Sequence, residues 1–198
     1  MGNRLSKIYT RTGDDGSTGM ADGSRLSKAD KLFDVMGDID ELNSHIGLVR
    51  AQLQKNKGQS ISKDVSHALV IIQHLLFNIG GELAMPEYEG VNATHIEWLE
   101  QQIDTMNTTL PPLKDFILPT GSVLVSQLHV ARSVCRRAER QAVSLQEQRP
   151  AAIRGTAISF INRLSDWLFV AARFCTDPEQ VSEVLWDSQV LQHFADNR

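Results

Sequence analysis

Cysteine is nearly absent from this sequence: Cys135 and Cys175 are the only two among 198 residues. Two thiols make no disulfide framework. Both fall in apolar helical patterns, which reads as buried free thiols in a reducing compartment and not as a metal site. Excess positive charge is also missing. The net charge of −4 excludes a nucleic-acid partner held by bulk electrostatics, so any anion site must be a local gathering of Arg and Lys. No uninterrupted apolar run has the length of a membrane span. The longest, "ALVIIQHLLFNIGG", is broken by Gln73, His74 and Asn78. The N-terminus lacks the apolar core of a secretory signal. The expected location is cytoplasmic, with no membrane partner. Repeats, low-complexity tracts and convincing strands are lacking, as is any Ser–His–Asp or Cys–His arrangement.

What remains is ordinary for a soluble globular protein. Hydrophobic residues make up 41% and charged residues 22%, in a length that suits one domain. Helical periodicity dominates. Residues 30–54 carry a stripe of Leu32, Met36, Ile39, Leu42, Ile46, Val49 and Leu53. Residues 64–84 repeat it with Val65, Leu69, Ile72, Leu75, Leu76 and Ile79. A third helix has Thr94 and Glu97 as a candidate capping box and runs through Ile96, Leu99, Ile103, Met106 and Leu110 to Pro111 and Pro112. A fourth spans about 121–147 and a fifth about 155–175. Asp177 and Pro178 suit the start of a short tail helix. Short connections between long amphipathic helices predict an all-α, antiparallel five-helix bundle. The expected organisation is a single domain: an N-terminal loop over 1–29, a bundle over 30–176 and a tail helix over 177–198.

Two segments depart from helical packing. The first is "IYTRTGDDGSTGMADGSRLSK", with Gly13, Gly16, Gly19 and Gly23 among hydroxyls and cations. Loops this long are usually functional or disordered. Its composition suits a polyanion: glycines let amides approach phosphate, hydroxyls donate, and Arg11, Arg25 and Lys28 neutralise. A tail without function is the alternative. The second is "LHVARSVCRRAERQAV". Arg132, Arg136 and Arg140 are four residues apart, and each such step drifts by only about 40° around a helix. Three guanidinium groups therefore share a face, with His129 and Glu139 beside them. Arg137 points elsewhere, to solvent or a surface pair. The row is either a solvated face or a phosphate clamp. In "GDIDELNS", Asp40 lies off the main stripe near Phe33, Met36 and Gly47, which suits an exposed carboxylate or a contact with another subunit. Asn162 and Asp166 lie i, i+4 in "INRLSDWLF", as a structural pair or a pocket lining.

Taken together, "YTRTGDDGSTG", "GDIDELNSHIG", "FILPTGS", "LHVARSVCRRAER" and "INRLSDWLF" resemble the corrinoid adenosyltransferases of the propanediol-utilisation (PduO) type, in the family's order and spacing from about residue 8 to 175. The resemblance implies a ferritin-like bundle that assembles as a homotrimer with active sites between subunits. It implies transfer of the 5′-deoxyadenosyl group of ATP to cob(I)alamin with release of triphosphate, and Mg²⁺ bridging the phosphates. Carried over, Thr10, Arg11, Thr12, Gly13, Thr18 and Lys28 match the ATP loop. Arg136, Arg140 and Asn162 match helix-borne ATP contacts, and Arg137 and Glu139 lie in the same segment. Asp40 and Arg132 match an intersubunit salt bridge. Phe116 matches the aromatic residue facing the lower side of the corrin. Arg132, Arg136, Phe116 and Asp40 are thus the expected catalytic set, and no protein-borne metal site is expected. Asp15 stands where many members have Lys, which removes one cation from the loop. A cobalamin reductase and an adenosylcobalamin-dependent enzyme are implied partners. An ATP-binding regulator, or a chaperone delivering adenosylcobalamin without turnover, is the alternative reading.

Overall fold

A computed structural model describes residues 9–55, 61–176, 183–190 and 192. Five helices follow in chain order: α1 Lys31–Lys55, α2 Ile61–Ala84, α3 Ala93–Asn107, α4 Val123–Gln148 and α5 Gly155–Phe174. The apolar periodicity sets which faces close on one another. On α1 the buried side chains are Leu32, Val35, Ile39, Leu42, Ile46, Val49 and Leu53. Met36, expected in that row, is only half-buried, and Val35 takes the inward position. α4 packs against both α1 and α5, α1 against α2, and α2 touches α5, so these four close a ring. α3 lies outside it, against α5. Phe160 and Trp167 of α5 are the largest side chains at the centre.

Ion pairs and arginine hydrogen bonds to backbone carbonyls report the directions of the helices. Asp30 meets Arg149 and Asp38 meets Arg137, so α1 and α4 run antiparallel. Arg154 reaches Val91, Arg163 reaches Glu100 and Arg173 reaches Pro111. That rising order makes α3 run alongside α5 in the same direction.

Three local readings need correction. The cap of α3 is Asn92, whose Oδ1 accepts from Thr94 N at 3.1 Å while its own N–H donates to His95 Nδ1. The reciprocal box therefore starts two residues before Thr94 and uses His95 in place of Glu97. The glycine-rich loop, read as strandless, contains a hairpin of β1 Ser17–Gly19 and β2 Arg25–Ser27. Thr18 pairs with Leu26 across it, and Leu26 and Met20 pack on the bundle core. Finally, residues 63–84 form a helix long and apolar enough, by length and composition alone, to cross a membrane. Two of the polar residues taken as breaks have partners inside the fold: Gln73 Nε2 donates to the Asn43 carbonyl while Asn43 Nδ2 donates to the Gln73 carbonyl, and Asn78 Nδ2 donates to Gly90 O. α2 serves as a core helix, burying Leu69, Ile72, Leu76, Ile79 and Leu83.

Cys135 and Cys175 are free, and burial raises both thiols, Cys175 to about 12. The expected helix start at Asp177 and Pro178 lies outside the described residues. Where the tail is described again, residues 183–187 are extended, and Leu185 bridges Ile117 in antiparallel fashion.

Candidate active site

The N-terminal turn is built around Arg11, whose φ of 62° is the one left-handed non-glycine value among the described residues. That conformation is sparsely populated and concentrates at functional sites. Arg11 also lies over the Tyr9 ring, 5.7 Å from its centroid. The hydroxyls of Thr10 and Thr12 are 2.9 Å apart. Gly13 is a glycine for want of room: a Cβ there would sit 3.1 Å from Lys28 Nζ and 3.0 Å from Ser17 O. Lys28 therefore holds its ammonium group over the Gly13 backbone.

Arg25, expected from the sequence to neutralise a polyanion, instead spends its guanidinium within this loop. It donates to the Thr12 carbonyl at 2.6 Å and to Ser17 Oγ at 3.0 Å, and its Nη2 is 3.6 Å from Asp15. Asp15 in turn accepts from the N–H and Oγ of Ser17, and these bonds hold its carboxyl below the usual carboxylate range. The residue that replaces a cation thus has a local job in fastening the turn to the hairpin. Asp30 then caps α1 through Leu32 N and pairs with Arg149.

On α4, Arg132, Arg136 and Arg140 have no acidic partner among the described residues. Arg140 donates only to the Arg136 carbonyl, at 3.0 Å. Arg132 is half-buried and its Nε, fully buried, has no hydrogen-bond partner. Burial, and next the neighbouring Arg136, lower its pKa. Arg137 differs: it pairs with Asp38 at 3.0 Å and with Glu41, both on α1, as a surface pair. Asn162 Nδ2 donates to Glu139 Oε1 at 2.6 Å, joining α5 to the arginine helix. Asp166 joins Arg163 instead, at 3.1 Å, and does not line the site with Asn162. His129 is 5% exposed, with Nδ1 unpartnered, and burial lowers its pKa. It lines a groove of about 500 Å³ on α4 with Ser126, Val130, Ser133, Arg137 and Arg140.

Asp40 is exposed and has no ion pair among the described residues, so it does not reach Arg132 within one chain. Nor does any described hydrogen bond or ion pair join Thr10–Lys28 to the three arginines.

Phe116 is 83% exposed, which rules out plain core packing. Its carbonyl accepts from Trp186 N at 2.7 Å, and Leu118 N donates to Val184 O at 2.8 Å. The α3–α4 linker and the C-terminal strap thereby pair, with Ile117 opposite Leu185, and side-chain alternation puts exposed Phe116, Leu118, Val184 and Trp186 on one face as a shelf. An exposed apolar cluster of this kind marks a ligand or partner surface.

A polyanion-suited loop, an unpaired cationic row and an exposed aromatic shelf occur here on one helical bundle. The family model for cobalamin adenosyltransferase matches residues 8–175. The chain belongs to the cobalamin adenosyltransferase family. A cobalamin adenosyltransferase of Cupriavidus metallidurans is 46% identical over 189 residues, covering 96% of this chain and 98% of the relative. A corrinoid adenosyltransferase of Mycobacterium leprae is 42% identical, covering 92% and 96%. Among solved structures, a phenylalanine-to-alanine variant of a PduO-type ATP:corrinoid adenosyltransferase from Lactobacillus reuteri, complexed with cobalamin and ATP, matches at a TM-score of 0.82 and 38% identity. That match covers 92% of this chain and all of the other.

Proposed function

We propose that this cobalamin adenosyltransferase joins C5′ of ATP to the cobalt of cob(I)alamin, forming the Co–C bond of adenosylcobalamin as the C5′–O bond breaks and triphosphate leaves with the electron pair. The observation that carries this reading is the row of Arg132, Arg136 and Arg140, which has no acidic partner among the described residues, on the same bundle that exposes Phe116. Cobalt(I) is a strong nucleophile, so the cofactor carries the hard chemistry. The chain's part is to hold C5′ in line and to meet the charge that grows on the leaving phosphates.

Each half of the site has a physical task. Thr10, Arg11, Thr12, Gly13, Thr18 and Lys28 wrap the triphosphate, with the turn held by Arg25. Arg136, Arg140 and Asn162 meet ATP from the helices, with Glu139 orienting Asn162. Arg137 takes part through its side of the groove while paired to α1. Phe116 covers the lower axial face of cobalt. An apolar group there excludes water and favours a metal bound only by its corrin nitrogens, which is easier to reduce. Among the described residues no group of three His, Cys, Asp or Glu side chains comes together to hold a metal. Mg²⁺ bound to the phosphate oxygens of ATP would neutralise charge there.

The active unit in this proposal is a homotrimer. Asp40 of one copy supplies the anion that Arg132 of another lacks, and the loop of one copy faces the arginine row of its neighbour. A cytoplasmic location suits two free thiols, Cys135 buried and Cys175 half-buried.

The test is an anaerobic incubation of the protein with chemically reduced cob(I)alamin and MgATP, followed by absorbance. Formation of adenosylcobalamin, lost in Arg136→Ala and Phe116→Ala, is the expected result. Binding of ATP without any product would overturn the transferase reading. Sedimentation of the wild type and Asp40→Ala reads the assembly.

A further inference from the structure

The C-terminal strap is held by more than its ladder with the linker. Arg173, near the end of α5, is 7% exposed. Its Nε donates to Glu183 Oε1 at 2.7 Å, and its Nη2 donates to the Pro111 carbonyl at 2.8 Å and lies 3.5 Å from Glu183 Oε2. One buried guanidinium therefore ties together α5, the head of the α3–α4 linker and the first described residue of the strap. Pro111 begins the linker that carries Phe116, and Glu183 precedes the Val184 whose carbonyl takes Leu118 N.

The residue type matters. A buried charge without its partner is strongly unfavourable, so Arg173 enforces the approach of Glu183. A planar fork reaches a carboxylate and a carbonyl at once, which a lysine ammonium cannot do with the same geometry. The strap has few buried side chains of its own: Val184, Leu185 and Trp186 are all exposed. Its placement depends on the ladder and on this ion pair.

We propose that Arg173 is a positioning residue for the shelf, clamping strap to linker so that Phe116 and Trp186 present one fixed apolar surface. This rests on reading Phe116 as the residue beneath the corrin. Arg173 itself touches no reacting atom. It lowers the ordering cost that corrin binding would otherwise carry.

The test uses the full chain as Arg173→Met, Arg173→Lys and Glu183→Gln. The last leaves α5 unaltered and stays interpretable should the first fail to fold. Three quantities are measured: amide hydrogen exchange at Leu118 and Trp186, ATP affinity by calorimetry, and cob(II)alamin affinity by absorbance with MgATP present. Faster exchange at both amides is expected, with ATP affinity unchanged and cob(II)alamin affinity lowered roughly 2- to 30-fold. Arg173→Lys should fall between wild type and Arg173→Met. Unchanged exchange in Glu183→Gln and Arg173→Met overturns the clamp. Faster exchange with unchanged cob(II)alamin affinity overturns its role in positioning. A wild type that binds ATP but no cob(II)alamin overturns the corrin reading itself. That outcome is distinct from one in which wild type and variants bind equally well.

Discussion

Asn162 on α5 donates to Glu139 on α4 at 2.6 Å, so two residues proposed for the nucleotide site hold each other. Neither belongs to the core, and the bond joins the two helices beside the arginine row. Asn162→Ala should weaken ATP binding about fivefold, the worth of about 1 kcal/mol for such a bond. Thermal stability should stay near that of wild type. Calorimetric titration with ATP alone checks this.

Arg136 lies in the middle of the cationic row that the proposed function sets against a leaving polyphosphate. Arg136→Ala should lower kcat/KM by roughly a hundredfold, as loss of one preorganised donor to developing charge does. Arg136→Lys keeps the charge but loses the fork, and should recover only part. Steady-state rates at saturating cob(I)alamin decide it.

Glu82 is 2% exposed and accepts from Gly90 N, Val91 N and Arg154 Nη2. This cluster pins the α2–α3 loop to the start of α5. Arg154→Met strands a buried carboxylate and should cost about 3 kcal/mol in urea unfolding. Adding Glu82→Gln to that variant should restore part of the loss, because the stranded charge is gone.

Burial, and next the Arg132 guanidinium, push His129 below its ordinary 6.5. The unfolded chain then holds more protons on this ring than the folded one. Its contribution to stability is complete above pH 6.5 and is lost as the pH falls below that value. His129→Gln should flatten the acid side of the stability profile, measured by thermal unfolding between about pH 5 and 7.

Helix number, helix order and the arginine face were legible because periodicity reports directly on which side of a helix is buried. What could not be read lies in partners distant in sequence. Arg137 was placed off the arginine face by its angle, but nothing in spacing names Asp38 and Glu41. Glu82 with Arg154, and Arg173 with Glu183, are likewise invisible until the helices are docked. The cap of α3 was misread because Thr94 and Glu97 imitate a capping box, while the true one uses His95. The hairpin was missed because strands of three residues give too little alternation, one of them ending in glycine. The assignments of Thr10–Lys28, Asp40 and Phe116 came from family resemblance, and Phe116 is the one for which exposure adds independent support.

Arg136 and Arg140, with no acidic partner among the described residues, carry a consequence for the protein's lifetime. Like charges stacked along a helix oppose folding when nothing neutralises them. The ligand-free chain therefore has less resistance to heat than its core alone would give, and nucleotide restores the difference by mass action. A neutral side chain at Arg136 or Arg140 is expected to raise the melting temperature of the empty protein while it lowers turnover. Laboratory selection for heat resistance alone would erode this row first. In a cell, the same coupling is expected to make survival against proteolysis follow the supply of substrate.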